Sequence, residues 1–173
     1  SFSWVNNAGV VFNEQAHFTG AEVEILLNPV DALDIMLGAS YTDAVVEDLE
    51  VASGIFVDTT PPYTPEWQGS ALIRYTWSLD SGSIAAQASG SYQSESFHNA
   101  RNFTAQTIES HFKADARVTW EDTQGLWSVA AYVNNLTDSD HEIIGFDVSG
   151  FYGTTQMSYA KPRTYGITVR RNF

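Results

Sequence analysis

The sequence predicts an all-β protein: about eight antiparallel transmembrane β-barrel strands in a meander, with short periplasmic turns and long extracellular loops. Three observations predict it. Apolar and polar residues alternate with period two along most of the chain. Tight turns alternate with long loops, so all short connections fall at one end of the sheet. Aromatic residues gather near the ends of apolar rows whose middles are small or aliphatic.

Phe2 and Trp4 read as the tail of a first strand. Next, Ala21, Val23, Ile25 and Leu27 alternate with Glu22, Glu24 and Leu26, and Leu33, Ile35, Leu37, Ala39 and Tyr41 with Asp34, Met36, Gly38, Ser40 and Thr42. From Trp67 to Trp77 one face carries Trp67, Gly69, Ala71, Ile73, Tyr75 and Trp77, and Leu72 interrupts the polar face. Ile84, Ala86, Ala88, Gly90 and Tyr92 form another row. Between Thr107 and Trp120 the sorting is sharpest: Ile108, Phe112, Ala114, Ala116, Val118 and Trp120 oppose Glu109, His111, Lys113, Asp115 and Arg117. Trp127, Val129, Ala131 and Val133 precede the last row of Tyr165, Ile167, Val169 and Phe173. Segments 28–32, 78–82 and 121–125 are tight turns, and 44–65, 97–106 and 137–162 are long loops.

Composition removes several function classes. With 8 Lys+Arg against 21 Asp+Glu, the chain has a net charge of −13 and no basic stripe to displace counterions, which rules out nucleic acid. Apolar residues at 43% with only 17% charged do not describe a disordered tail. Cysteine is absent, so disulfides, thiolate zinc sites and cysteine nucleophiles are excluded together. No run reaches the roughly 18–20 apolar residues of a membrane helix, a limit that leaves membrane strands open. The N-terminus has no signal-peptide pattern, as expected of a processed chain or a fragment.

Alternating rows fit both a soluble barrel, apolar inside, and a membrane barrel, apolar outside. The aromatics favour the membrane: Tyr41, Trp67, Trp77, Tyr92, Trp120, Trp127 and Tyr165 sit near row ends, where rings meet lipid headgroups. Ile73, Ala88, Phe112, Val118, Val129 and Ile167 should then face lipid. Arg74, Glu109, His111, Lys113, Asp115, Arg117 and Arg170 should line the lumen as a charge-paired network.

Val133-Asn134-Asn135-Leu136-Thr137-Asp138, then a long loop, then Lys161-Pro162-Arg163-Thr164-Tyr165-Gly166 running to Phe173, resembles the closing segment of TonB-dependent outer-membrane receptors. Gly20 to Glu24, Asn28-Pro29-Val30-Asp31, Gly38 to Asp43 and Pro62-Tyr63-Thr64-Pro65-Glu66-Trp67 are similar to other hairpins of the same barrels. The resemblance implies that residues 1–173 are the C-terminal barrel portion of a bacterial outer-membrane receptor, with no plug domain in this chain. By resemblance the receptor imports an iron–siderophore complex or a similar scarce nutrient, energised through TonB. Its partners would be outer-membrane lipid, the rest of the barrel and plug, TonB and the barrel-assembly machinery. That machinery would read Tyr165, Ile167, Val169 and Phe173, although Arg171 stands where an apolar residue is usual. The alternative is a small self-closed structural or adhesive barrel, which would pair 163–173 with residues 2–7.

No nucleophile elbow or metal-ligand spacing of histidines occurs, and neither enzyme activity nor a cofactor is expected. Asp43, Glu47, Asp48, Glu50 and Asp58 could hold a cation, but a solvated loop is the plainer reading. Loop 137–162 carries Phe146, Phe151, Tyr152, Met157 and Tyr159, of which Phe146, Phe151, Tyr152 and Tyr159 are candidate substrate contacts. The last strand should pair with 126–135 and end at the periplasmic rim.

Overall fold

The computed structural model describes residues 2–5, 11–148 and 152–173. In chain order its strands begin with β1 (Phe2–Val5), β2 (Val11–Glu14), β3 (Ala16–Val30), β4 (Leu33–Ala52) and β5 (Ile55–Thr59). β6 (Trp67–Leu79), β7 (Gly82–Gln93), β8 (Ser96–Phe97), β9 (Thr107–Ile108) and β10 (His111–Asp122) follow. The last four are β11 (Trp127–Asn134), β12 (Glu142–Asp147), β13 (Thr155–Tyr159) and β14 (Thr164–Arg171). One antiparallel sheet runs β14-β11-β10-β7-β6-β4-β3, with β5 paired to the far half of β4. The meander is as predicted, and the barrel is open. β14 pairs with β11 from Thr164↔Asn134 to Arg171↔Trp127. β1 pairs with β2, and among the described residues no strand pairs with the free edge of β14, so the self-closed pairing is not seen there. Among the described residues no helix is long and apolar enough to cross a membrane.

Register sorts the two faces across the whole sheet, because directly paired residues share a face. One rung reads Leu27, Ile35, Ile73, Ala88, Ala116, Val133 and Tyr165. The neighbouring rung, on the opposite face, reads Asp34, Arg74, Gln87, Arg117, Tyr132 and Gly166. A slip of one residue in any strand would exchange the two sets.

The apolar face has no protein cover. Val23, Ile25, Leu27, Leu37, Ile73, Phe112, Val118, Ile167 and Val169 are all exposed on it. A water-soluble protein would not leave such a band open. Aromatic residues bound the band: Tyr41 and Trp67 lie ring to ring at 4.7 Å near one end, Tyr75 and Trp77 at 4.7 Å near the other. Trp67 and Trp77 both lie on β6. At ~3.3 Å per residue and a tilt of ~40°, their separation along the membrane normal is about 25 Å, the height of an outer-membrane apolar band.

The tight turns are built as their residues require. Gly82 takes φ +140°, and a methyl there would strike the Glu121 backbone of the adjacent turn. Gly125 takes φ +66°. Its carbonyl accepts from Asn172 Nδ2 at 2.7 Å, tying the end of the chain to the β10–β11 turn. The C-terminal end of β14 thus lies beside a short turn, on the predicted rim.

The long loops depart from expectation: 44–65 and 137–162 contain strands, and 97–106 ends in a 3-10 turn at Thr104–Gln106. β4 continues to Ala52 and folds back through β5, so most of 44–59 is a hairpin. Its Val46, Leu49 and Val51 pack with Ala100 in the main buried apolar cluster among the described residues, with Ala16 against it. The protein core therefore sits in the loop layer, above an uncovered sheet. The expected strand over 107–120 is divided: Thr107–Ile108 pair with Ser96–Phe97, and the long strand begins at His111. Ile108 is accordingly buried in the loop layer instead of facing lipid. Within 137–162, β12 and β13 form a further hairpin.

Candidate functional site

Two regions carry the chemistry: the polar face of the sheet and the loop layer at its long-loop end. On the polar face, Lys113 and Asp115 pair at 3.6 Å along β10. Asp115 also accepts the Asn135 backbone N–H at 2.7 Å, fixing where β11 leaves the sheet. Arg117 Nε donates to Thr119 Oγ1 at 3.2 Å. No carboxylate among the described residues lies within ion-pair distance of Arg74, Arg117 or Arg170. Their charge is open to a partner outside these residues. Arg170 lies opposite Ser128 on the same face. Glu109 is different: it sits in the bend before β10, where its carbonyl lies 3.0 Å from His111 Nδ1, and it is outside the rung pattern.

Register also reveals an apolar stripe on the polar face. Leu26 pairs with Met36, which pairs with Leu72. With Glu24, Lys113 and Asp115 these residues line an open groove of about 410 Å³. In the sequence Leu72 interrupts its polar row, while Leu26 and Met36 stand among the alternating residues of theirs. Only strand pairing places them side by side.

The loop layer is held by a polar knot. Arg101 pairs with Asp147 of β12, and Gln106 Nε2 donates to the same carboxylate at 2.7 Å. Asn102 Nδ2 donates to the Thr60 carbonyl at 2.9 Å, and its Oδ1 accepts the Thr60 N–H at 2.6 Å. Thus the β5–β6 connection, segment 97–106 and the β12–β13 hairpin are joined. Two acidic residues of the long hairpin serve that hairpin's own geometry, and a third ties it to β3. Asp58 accepts from Asp48 N at 3.1 Å, Glu50 from Gly54 N at 2.9 Å, and Glu47 meets His17 at 3.2 Å. Among the described residues no group of three or more acidic or histidine side chains could hold a metal ion.

Two histidine contacts join the β12–β13 hairpin to its surroundings. The His98 ring covers Gly145 and meets Tyr63 edge-on at 5.8 Å. Burial lowers its pKa from the ordinary value, with Glu142 pulling the other way. His141 stacks on His111 at 3.7 Å with 9° between planes. Burial, then His111 and Lys113, lower the His141 pKa against the opposite pull of Glu142 and Asp140. Nothing in the local sequence marks His98 or Asp147 as buried. Of the loop aromatics, Phe146, Tyr152 and Tyr159 are exposed on or beside the hairpin, Tyr152 at 81%. Phe151 lies outside the described residues.

At the outer ends of β11 and β14 the two C-terminal motifs bind each other. Asn135, 2% exposed and at φ +54°, donates through Nδ2 to the Ser139 carbonyl at 2.9 Å and the Lys161 carbonyl at 3.1 Å. Asp138 pairs with Arg163 at 3.3 Å, and Asn134 Nδ2 reaches Thr164 Oγ1 at 3.4 Å. These residues close strand ends. At the other end of β14 the Arg171 guanidinium lies over the rings of Trp127 and Phe173 at 5.1 and 4.9 Å, so this cation on the apolar face is covered by aromatics at the rim.

A family model described as TonB dependent receptor-like, beta-barrel, matches residues 2–136. The ferric yersiniabactin uptake receptor FyuA from Yersinia pestis superposes at a TM-score of 0.76 with 16% identity, over 91% of this chain and 24% of that one. The siderophore receptor PiuA from Acinetobacter baumannii gives 0.71 and 15%, over 96% and 23%. The closed form of the ferric-catecholate import receptor Fiu from E. coli K12 gives 0.70 and 20%, over 99% and 23%. The chain spans about a quarter of the length of these receptors. At such identities the superpositions speak for the fold, and the family model speaks for descent: the chain belongs to the TonB-dependent receptor β-barrels, proteins of the bacterial outer membrane.

Proposed function

We propose that residues 1–173 form the C-terminal barrel segment of a receptor that imports an iron–siderophore complex or a similar scarce nutrient, energised through TonB. The single observation that carries this is the pairing of an uncovered apolar face with a charged face on one family-typical sheet. Lipid takes the first face, and the second lines a lumen shared with the rest of the barrel and its plug. Arg74, Arg117 and Arg170 are unmatched among the described residues and are suited to anionic partners across that lumen. His111, Lys113 and Asp115 line its outer half, and Glu109 caps it. On the extracellular side, Phe146, Phe151, Tyr152 and Tyr159 of the last loop would contact substrate, supplying flat apolar surface for a chelate. The protein's contribution is binding and gated passage, with no covalent step. Tyr165, Ile167, Val169 and Phe173 would present the strand read by the barrel-assembly machinery. Uptake receptors for ferric yersiniabactin and for ferric catecholates are among the structurally similar proteins, which supports this substrate class.

The test is uptake by cells whose only receptor of this class is the complete protein. Radiolabelled ferric siderophores should enter in the presence of TonB, and entry should cease when TonB is deleted. Uptake unaffected by TonB deletion would overturn the proposal.

A further inference from the structure

We propose that the β12–β13 hairpin is held over the barrel rim by two contacts that require uncharged imidazoles, so that acidification releases it. The first is His98. It is 7% exposed, and neither ring nitrogen has a hydrogen-bond partner. Its ring rests on the bare Cα of Gly145, where even a methyl group would collide. A neutral imidazole leaves one donor and one acceptor unmet in that enclosure. An imidazolium would place two donors and a full charge there, and buried charge without a partner is costly. The second contact is the stack of His141, just ahead of β12, on His111 at the head of β10. Neutral rings stack well, whereas two imidazoliums 3.7 Å apart repel.

The charged neighbours set the balance. Glu142 faces both His98 and His141 and favours their charged forms, as Asp140 does for His141. Lys113 and His111 oppose charge on His141, and burial opposes it at both histidines and is the largest effect at each. Arg101, three residues on from His98, is engaged by Asp147. The docked hairpin therefore binds protons less readily than the released one. A released histidine titrates near 6.5. Docking is complete above that value and weakens as pH falls through it, because the released form then holds more protons. The Asp147 knot contains no histidine and remains as a tether, so the movement is a loosening at the hairpin's base. Because the hairpin carries three of the proposed substrate-contact residues, loosening would alter the receptor mouth. That consequence rests on the proposed function, whereas the hairpin's motion is measured without a substrate.

The experiment is amide hydrogen exchange on the complete receptor in detergent, at about pH 7.5 and about pH 5, corrected for intrinsic exchange rates. Protection of amides in 142–147 and 155–159 should fall on the order of tenfold at the lower pH, while β6 and β7 are unchanged. The double variant His98→Phe with His141→Phe keeps both ring contacts and removes both titrations, so its protection should not change with pH. If His98→Phe prevents assembly, His141→Phe alone should show a smaller acid response than wild type. Equal wild-type protection at both pH values, or an undiminished acid response in the variants, would overturn the proposal.

Discussion

Replacing Asn135 by Ala tests how the strand ends are closed. Asn135 Nδ2 donates to the Ser139 and Lys161 carbonyls at 2.9 and 3.1 Å, and Oδ1 accepts from Ser139 N at 2.9 Å. Three well-formed bonds at about 1 kcal/mol each contribute ~3 kcal/mol. Alanine at φ +54° adds ~1 kcal/mol, since a Cβ without a compensating local bond disfavours the left-handed region. The sum, ~4 kcal/mol, corresponds to roughly three decades in a local opening constant. In the complete receptor, amide exchange over 135–139 and 163–165 should accelerate by about that factor, with β6 and β7 unaffected. Asn135→Gly separates the two contributions: relieved of the backbone penalty, it should recover about one of the ~4 kcal/mol. Acceleration below about tenfold for Asn135→Ala would mean the side chain does not hold the two motifs together, and the reasoning would fail.

Other consequences are simpler to read. Ile73→Arg puts a charge on the apolar face at mid-strand and should destabilise the assembled barrel by roughly 2–4 kcal/mol in denaturant titration, while Leu72→Arg, one residue away on the polar face, should cost far less. Comparable losses at both positions would contradict the assignment of faces. Gly82→Ala brings a methyl against the Glu121 backbone at φ +140° and should lower stability by ~1–3 kcal/mol in the same titration. Deleting Phe173 should reduce the fraction of folded, heat-modifiable receptor in outer membranes severalfold without changing the stability of what does assemble.

What was legible in the sequence follows from what each signal measures. Period two reports burial on one side of a strand, so it found β3, β4, β6, β7, β10, β11 and β14, whose pairing the register confirms. It says nothing about where a chain leaves the sheet. Ile108 has the parity of the lipid row, yet it belongs to a two-residue ladder with Ser96 and Phe97 in the loop layer. In 44–59 the pattern is hidden for another reason. Register jumps between Val46 and Leu49, with Asp48 at φ +52° in the gap, so the buried positions change parity in mid-strand. The charges around that jump then read as loop. The Leu26–Met36–Leu72 stripe and the Asp147 knot join residues distant in sequence, and no one-dimensional pattern carries such a pairing.

The C-terminal motifs that resemble the family say little about the ligand. Asn134, Asn135 and Asp138 meet Thr164, Lys161 and Arg163, with Thr137 bonded to Asn135, because two strands must end together at the outer rim and every buried polar group there needs a partner. That requirement is the same whatever the barrel imports, so the residues that meet it are a signature of architecture. Between these two motifs, 140–160 is free of the requirement. There the chain puts Phe146, Tyr152 and Tyr159 into solvent and rests Gly145 on a buried histidine. A closed staple fixes both ends of that insertion, and a hairpin with fixed ends can change its inner contacts without disturbing the sheet below. Under the proposed function, whose substrate contacts lie in that insertion, ligand choice is therefore physically separable from barrel closure, as is the proposed response to acid.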